Sequence, residues 1–173
     1  MWLASRNWRV LRPAAGWLPP GRGNPAVWWS TLGVVVAAHI GLLIWFRSVD
    51  RMSEVTTDLM DLARDLPFVL FWLAGVLFVT ANSVIEEMAY RGIAFDGARL
   101  IAAPLWAIGS QAIAFGTFHV NGVPSGLAGV VLALAYGLAL GLIRHMSGGL
   151  RYPIIGHIVA DGAILTRVLV MTR

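Results

Sequence analysis

Apolar residues in this chain come in long blocks, without the strict alternation of a half-buried strand. Five blocks are legible: 27–46, 67–86 with helical continuation to about residue 95, 100–119, 123–143 and 152–171. Each is close to the ~20 residues with which a helix crosses the hydrocarbon of a bilayer. Trp28 and Trp29 stand at one end of the first block and Trp45 at the other, as interfacial aromatics do. Backbone groups in lipid must bond internally, and no block has the dyad pattern of a barrel, so the pattern predicts helices. The expected fold is all-α, a polytopic transmembrane bundle with about five spans. Short connections make successive spans antiparallel neighbours. Residues 47–65 break the pattern as an acidic amphipathic connection that carries Asp50, Glu54, Asp58, Asp61 and Asp65.

Composition agrees. Hydrophobic residues make up 58% of the 173 and charged residues 13%, about half the charged share of a soluble domain, which is roughly a quarter. All 13 basic residues are Arg, and they are scattered over segment ends. With no basic-aromatic stripe, the net charge of +4 does not point to nucleic acid. The absence of Cys excludes disulfides, thiolate catalysis and Cys-ligated metal. Residues 1–26 lack the apolar core of a signal peptide. Arg6, Arg9, Arg12 and Arg22 with Trp2, Trp8 and Trp17 read instead as a tail against an anionic membrane face. Arg91 to Arg99 and Arg144 to Arg151 fall on the same side as this tail in a five-span topology. The expected location is therefore the inner (cytoplasmic) membrane, multi-pass, with the N-terminus in the cytoplasm. Arg167 and Arg173 fall on the opposite side. Gly137 and Gly141, with Ala133 one turn earlier, suit close helix packing and no chemistry.

Ionisable residues inside spans are costly and face a bundle interior or a cavity. Three clusters stand out. Glu86-Glu87 precede Arg91, and Glu87 and Arg91, one helical turn apart, can pair. Glu86 points about 100° away from Glu87. It is thereby left to act on something else, as a general base would. The plainer reading is a solvated helix end. His119 follows Phe115 at the end of the third block, where a lone His is more often structural. His157 and Asp161 share one face of the fifth block. Asp161 could simply hold the imidazole there, although burying both groups in lipid without purpose is expensive. His39 in the first block fits a structural hydrogen bond. From the residues alone, the reading ends at a polar intramembrane site of two Glu, two His and one Asp.

In order, these clusters read EExxxR (Glu86, Glu87, Arg91), FxxxH (Phe115, His119) and HxxxD (His157, Asp161). They resemble the three motifs of the CAAX-protease and bacteriocin-processing family (CPBP, or Abi). Gly92 and the Gly148-to-Pro153 lead-in resemble it too. The resemblance covers residues 67–173, which makes that stretch the catalytic bundle. The other parts are the tail of residues 1–26 and a unit of residues 27–66 holding the first span and the acidic connection. Ala89-Tyr90 stands where the family often has two aromatics, and Asp161 where many members have Asn.

The resemblance implies an intramembrane glutamic endopeptidase acting on a membrane-anchored peptide or protein, either CAAX-type, a leader or a C-terminal sorting tail. Glu86 would activate water, His119 would orient it, and His157 and Asp161 would stabilise the oxyanion. Arg91 would hold Glu87, and Phe115 would be structural. No cofactor is implied. The same side chains leave two rivals open. One is a zinc protease with Glu86, His119 and His157 as ligands, against which stands the absence of HExxH. The other is a non-catalytic scaffold or proton-linked transporter, against which stands the lack of an inverted repeat.

Overall fold

The computed structural model describes residues 21–48 and 53–172, so the expectations for residues 1–20, for Asp50 and for Arg173 lie outside it. The described residues form six helices: α1 (Pro25–Ser48), α2 (Glu54–Asp65), α3 (Phe68–Arg99), α4 (Pro104–Phe118), α5 (Gly126–Ser147) and α6 (Arg151–Thr172). α1, α3, α5 and α6 are each long and apolar enough to cross a membrane. The chain is a multi-pass membrane protein with an all-α bundle fold. Large apolar side chains left exposed on the outside, among them Leu73, Leu77, Ile101 and Leu105, form a face suited to lipid.

Two helices start later than the apolar pattern suggests. α4 has 15 residues, about 22 Å at 1.5 Å per residue. It begins at Pro104, whose fixed φ and missing N–H suit a first turn, while residues 100–103 make the turn out of α3. α5 begins at Gly126 because Pro124 lies in the preceding turn and Gly126 takes a left-handed φ of +72°. α3 is longer than a span. It runs past Glu86 to Arg99 and changes to π-helical turns from Met88 to Ala94.

α4 and α5 form the tightest seam. A Cβ on Gly137 would stand 3.1 Å from Ala112 Cα, and one on Gly116 would stand 2.9 Å from Leu134 Cβ. The backbones therefore approach closely, as the Gly137/Gly141 spacing predicts. Gln111 crosses the seam, donating to the Gly137 carbonyl at 2.9 Å and the Ile108 carbonyl at 2.8 Å. Gly141 gives that amide its room.

α2 is the amphipathic connection. Ser53 caps it by accepting from the Thr56 amide. It buries Thr56, Met60 and Ala63 and leaves Asp58, Asp61 and Asp65 exposed. Met60 and Ala63 join a core with Phe71 and Val79 of α3 and Leu165, Val168 and Leu169 of α6. α1 packs across α5 and α6 through Val27, Leu140, Ile143 and Tyr152. Its Trp45 indole donates to the Ser125 carbonyl at 3.2 Å.

Candidate active site

The polar groups meet at His157 of α6, which is only 3% exposed. Its Nδ1–H donates to Glu87 Oε1 at 2.7 Å. The same oxygen accepts from Arg91 Nη1 at 2.6 Å. Glu87 and Arg91 are both fully buried, at 0% exposure. The predicted pair along α3 is therefore present, and Glu87 also fixes the imidazole. Asp161, which on the plainer reading of the sequence would hold the ring, has Oδ1 at 3.6 Å from Nε2, longer than a direct hydrogen bond. Glu86 Oε2 also lies 3.6 Å from Nε2. Nε2 thus faces two carboxylates, while Nδ1 is anchored by the third.

Asp161 has its own supports. Oδ2 accepts from Ser83 Oγ at 3.2 Å and Asn82 Nδ2 at 3.4 Å. Asn82 and Ser83 precede Glu86 and Glu87 by one helical turn, so one face of α3 carries all four polar groups.

His119 caps the end of α4, where its Nδ1–H donates to the Phe115 carbonyl at 3.0 Å and leaves Nε2 available. The Phe115 ring is buried among three site residues. Its centre lies 4.7 Å from the His119 ring, 5.7 Å from the His157 ring and 4.5 Å from the Arg91 guanidinium carbon. That last contact places the cation on an aromatic face. His119, His157, Asp161 and Tyr136 line one cavity of about 190 Å³, whose remaining walls are mostly small apolar residues of α1 and α5.

Chain direction explains how Glu86 and His119 share a depth. The first is reached by counting back from the Arg99 end of α3, the second by counting on from the Pro104 start of α4. At 1.5 Å per residue both stand roughly 20–22 Å from the turn that joins the two helices. An α3 that ended at Glu86 would have put them at opposite faces.

Several contributors escape motif reading. Arg144 of α5 donates through Nε to the Arg91 carbonyl at 3.0 Å and through Nη2 to both Asp96 oxygens at 3.1 Å. It ties α5 to the π-helical turn. Asn82, Ser83 and Gln111 were visible as polar breaks in apolar runs, a signal that points inward in a membrane helix. His39 stands apart, its Nδ1–H donating to the Val35 carbonyl at 2.9 Å. Among the described residues, no three His, Asp or Glu side chains are grouped to hold one metal ion.

Residues 68–163, more than half of the chain, match the family model described as Type II CAAX prenyl endopeptidase Rce1-like. The match holds all seven site residues of the sequence reading. No curated protein and no solved structure matches the chain.

Proposed function

Because the chain belongs to the Type II CAAX prenyl endopeptidase Rce1-like family, of membrane proteases, we propose that it hydrolyses a peptide bond of a membrane-anchored substrate by glutamate-activated water. The observation that carries this reading is the environment of His157. Nδ1 is anchored by Glu87, while Nε2 faces Glu86 and Asp161 at 3.6 Å each beside a mostly apolar cavity. A carboxylate base and a fixed imidazole side by side are the parts that acyl transfer to water requires.

In the proposed reaction His119 Nε2 orients a water and Glu86 takes its proton as the oxygen attacks the scissile carbonyl. The carbonyl oxygen becomes the oxyanion and is met by Nε2–H of His157 in its imidazolium form, with Asp161 beside it. Glu86 then returns the proton to the departing amine as the C–N bond breaks. Arg91 offsets the charge of Glu87 and leaves Glu86 without an arginine partner, 3.6 Å from His157 Nε2. A substrate delivered in the plane of the membrane suits the apolar walls, and a prenylated or lipid-embedded C-terminal tail is of that class.

The test is comparative proteomics of membrane-protein C-termini in cells with the wild-type chain and with Glu86→Gln, followed by reconstitution with the peptides that differ. Shortened C-termini that depend on Glu86 are expected. If none depends on Glu86 and reconstituted wild type leaves prenylated and unprenylated tail peptides intact, the reading fails.

A further inference from the structure

His39 of α1 and Arg167 of α6 take no part in the cluster at His157. The two helices pack side by side in the same direction. Near their starts the Trp28 and Tyr152 rings meet edge-on at 5.0 Å. One turn on, a Cβ at Gly156 would stand 3.8 Å from Thr31 Cγ2. His39 is counted from the Pro25 start of α1 and Arg167 from the Arg151 start of α6. At 1.5 Å per residue both lie roughly 21–24 Å from that end. Both line one groove of about 460 Å³ between the helices, walled otherwise by Thr166, whose hydroxyl donates to the Gly162 carbonyl, and by apolar residues such as Leu43, Val159 and Ala163.

Neither side chain has its full set of partners among the described residues. The Val35 carbonyl takes His39 Nδ1–H, and Nε2 has no partner among the described residues. Arg167 makes no hydrogen bond or ion pair among the described residues, and the groove holds no Asp or Glu. A guanidinium in a span without a counter-anion is a costly arrangement. It lies about 8 Å before the Thr172 end of α6, within reach of the headgroup region.

We infer that this groove is a binding site for an anionic phospholipid. Its phosphate would take the Arg167 fork with His39 alongside, and its acyl chains would lie along Leu43 and Val159. A planar guanidinium beside an imidazole suits phosphate oxygens, and apolar walls open to the side of the bundle suit acyl chains better than a soluble anion. Leu42 lines both this groove and the cavity at His157, so the lipid seat adjoins the site through one side chain.

The test is native mass spectrometry of the purified full chain with phosphatidylglycerol and phosphatidylcholine of matched acyl chains. One retained phosphatidylglycerol per chain is expected, favoured over phosphatidylcholine by about tenfold or more. It should be lost in Arg167→Gln, weakened in His39→Gln, and unmoved by excess inorganic phosphate. Ala163→Phe fills the groove without changing a charge and should also lose it, which keeps the test decisive if Arg167→Gln folds poorly. Equal retention of both lipids, retention by Arg167→Gln and Ala163→Phe alike, or displacement by inorganic phosphate would overturn the inference.

Discussion

At the scale of residues, the two adjacent glutamates are set apart by what each touches. Glu87 is fully buried and shares Oε1 between Arg91 and His157. Glu86 is partly exposed and has no cationic side-chain partner within direct hydrogen-bond distance. Glu86→Gln is therefore expected to fold as wild type and to lose cleavage by about 10²–10⁴-fold, the scale of a general base. Equal turnover by the two proteins in single-turnover assays would move the base elsewhere. Arg91→Ala should behave differently. It strands the buried Glu87 charge, a change that costs about 3–5 kcal/mol, and it removes the cation packed on Phe115. The expected outcome is a large fall in folded yield by fluorescence-detected size exclusion, with activity falling in parallel. The sequence made the Glu87–Arg91 pair legible because i,i+4 spacing decides it locally. It did not reveal that Glu87 rather than Asp161 anchors His157, because that bond joins residues 70 apart in the chain.

At the scale of elements, hydropathy located all four described helices that are long and apolar enough to cross a membrane, because backbone groups in lipid must bond within the helix. The fifth expected span, at 100–119, is the 15-residue α4, shorter than the ~20 residues of a crossing helix. Helix starts were less legible. Pro104 and Pro124 shift them by steric rules that a hydropathy window averages away. The π-helical turn from Met88 to Ala94 carries no hydropathy signal at all. What accompanies it is a contact from another helix: Arg144 bonds the Arg91 carbonyl and Asp96 together. Arg144→Ala removes those charge-assisted bonds, worth about 1.5–3 kcal/mol each, and should loosen the turn that places Glu87 and Arg91. Lower thermal stability together with reduced kcat is expected, both partly restored by Arg144→Lys. A variant that keeps wild-type kcat despite lower stability would show that the clamp does not position the site. The α4–α5 seam gives a test of packing alone. Gly141→Leu drives a side chain into the Gln111 amide and should destabilise by about 1–3 kcal/mol through overpacking.

At the scale of the whole molecule, the bundle gathers carboxylates and imidazoles from three helices into one low-dielectric place, and such a gathering also suits metal chemistry. Which chemistry operates is decided by whether three donors can share an ion at ~2.0–2.2 Å with a fourth position open to water. Glu87 is committed to Arg91 and to His157 Nδ1, His119 Nδ1 to the Phe115 carbonyl, and Asp161 Oδ2 to Ser83 and Asn82. No trio of His, Asp or Glu side chains among the described residues is grouped to hold an ion. A base and an oxyanion donor need no such trio; in the proposed reaction Glu86 and His157 take those two parts. The purified protein is accordingly expected to carry less than stoichiometric zinc by elemental analysis. Its cleavage rate should be unchanged by prolonged treatment with a strong chelator, and added zinc should not raise it. Stoichiometric zinc, with activity lost on chelation and restored by zinc alone, would replace Glu86 as the source of the nucleophile with a metal-bound water and recast His119 and His157 as ligands.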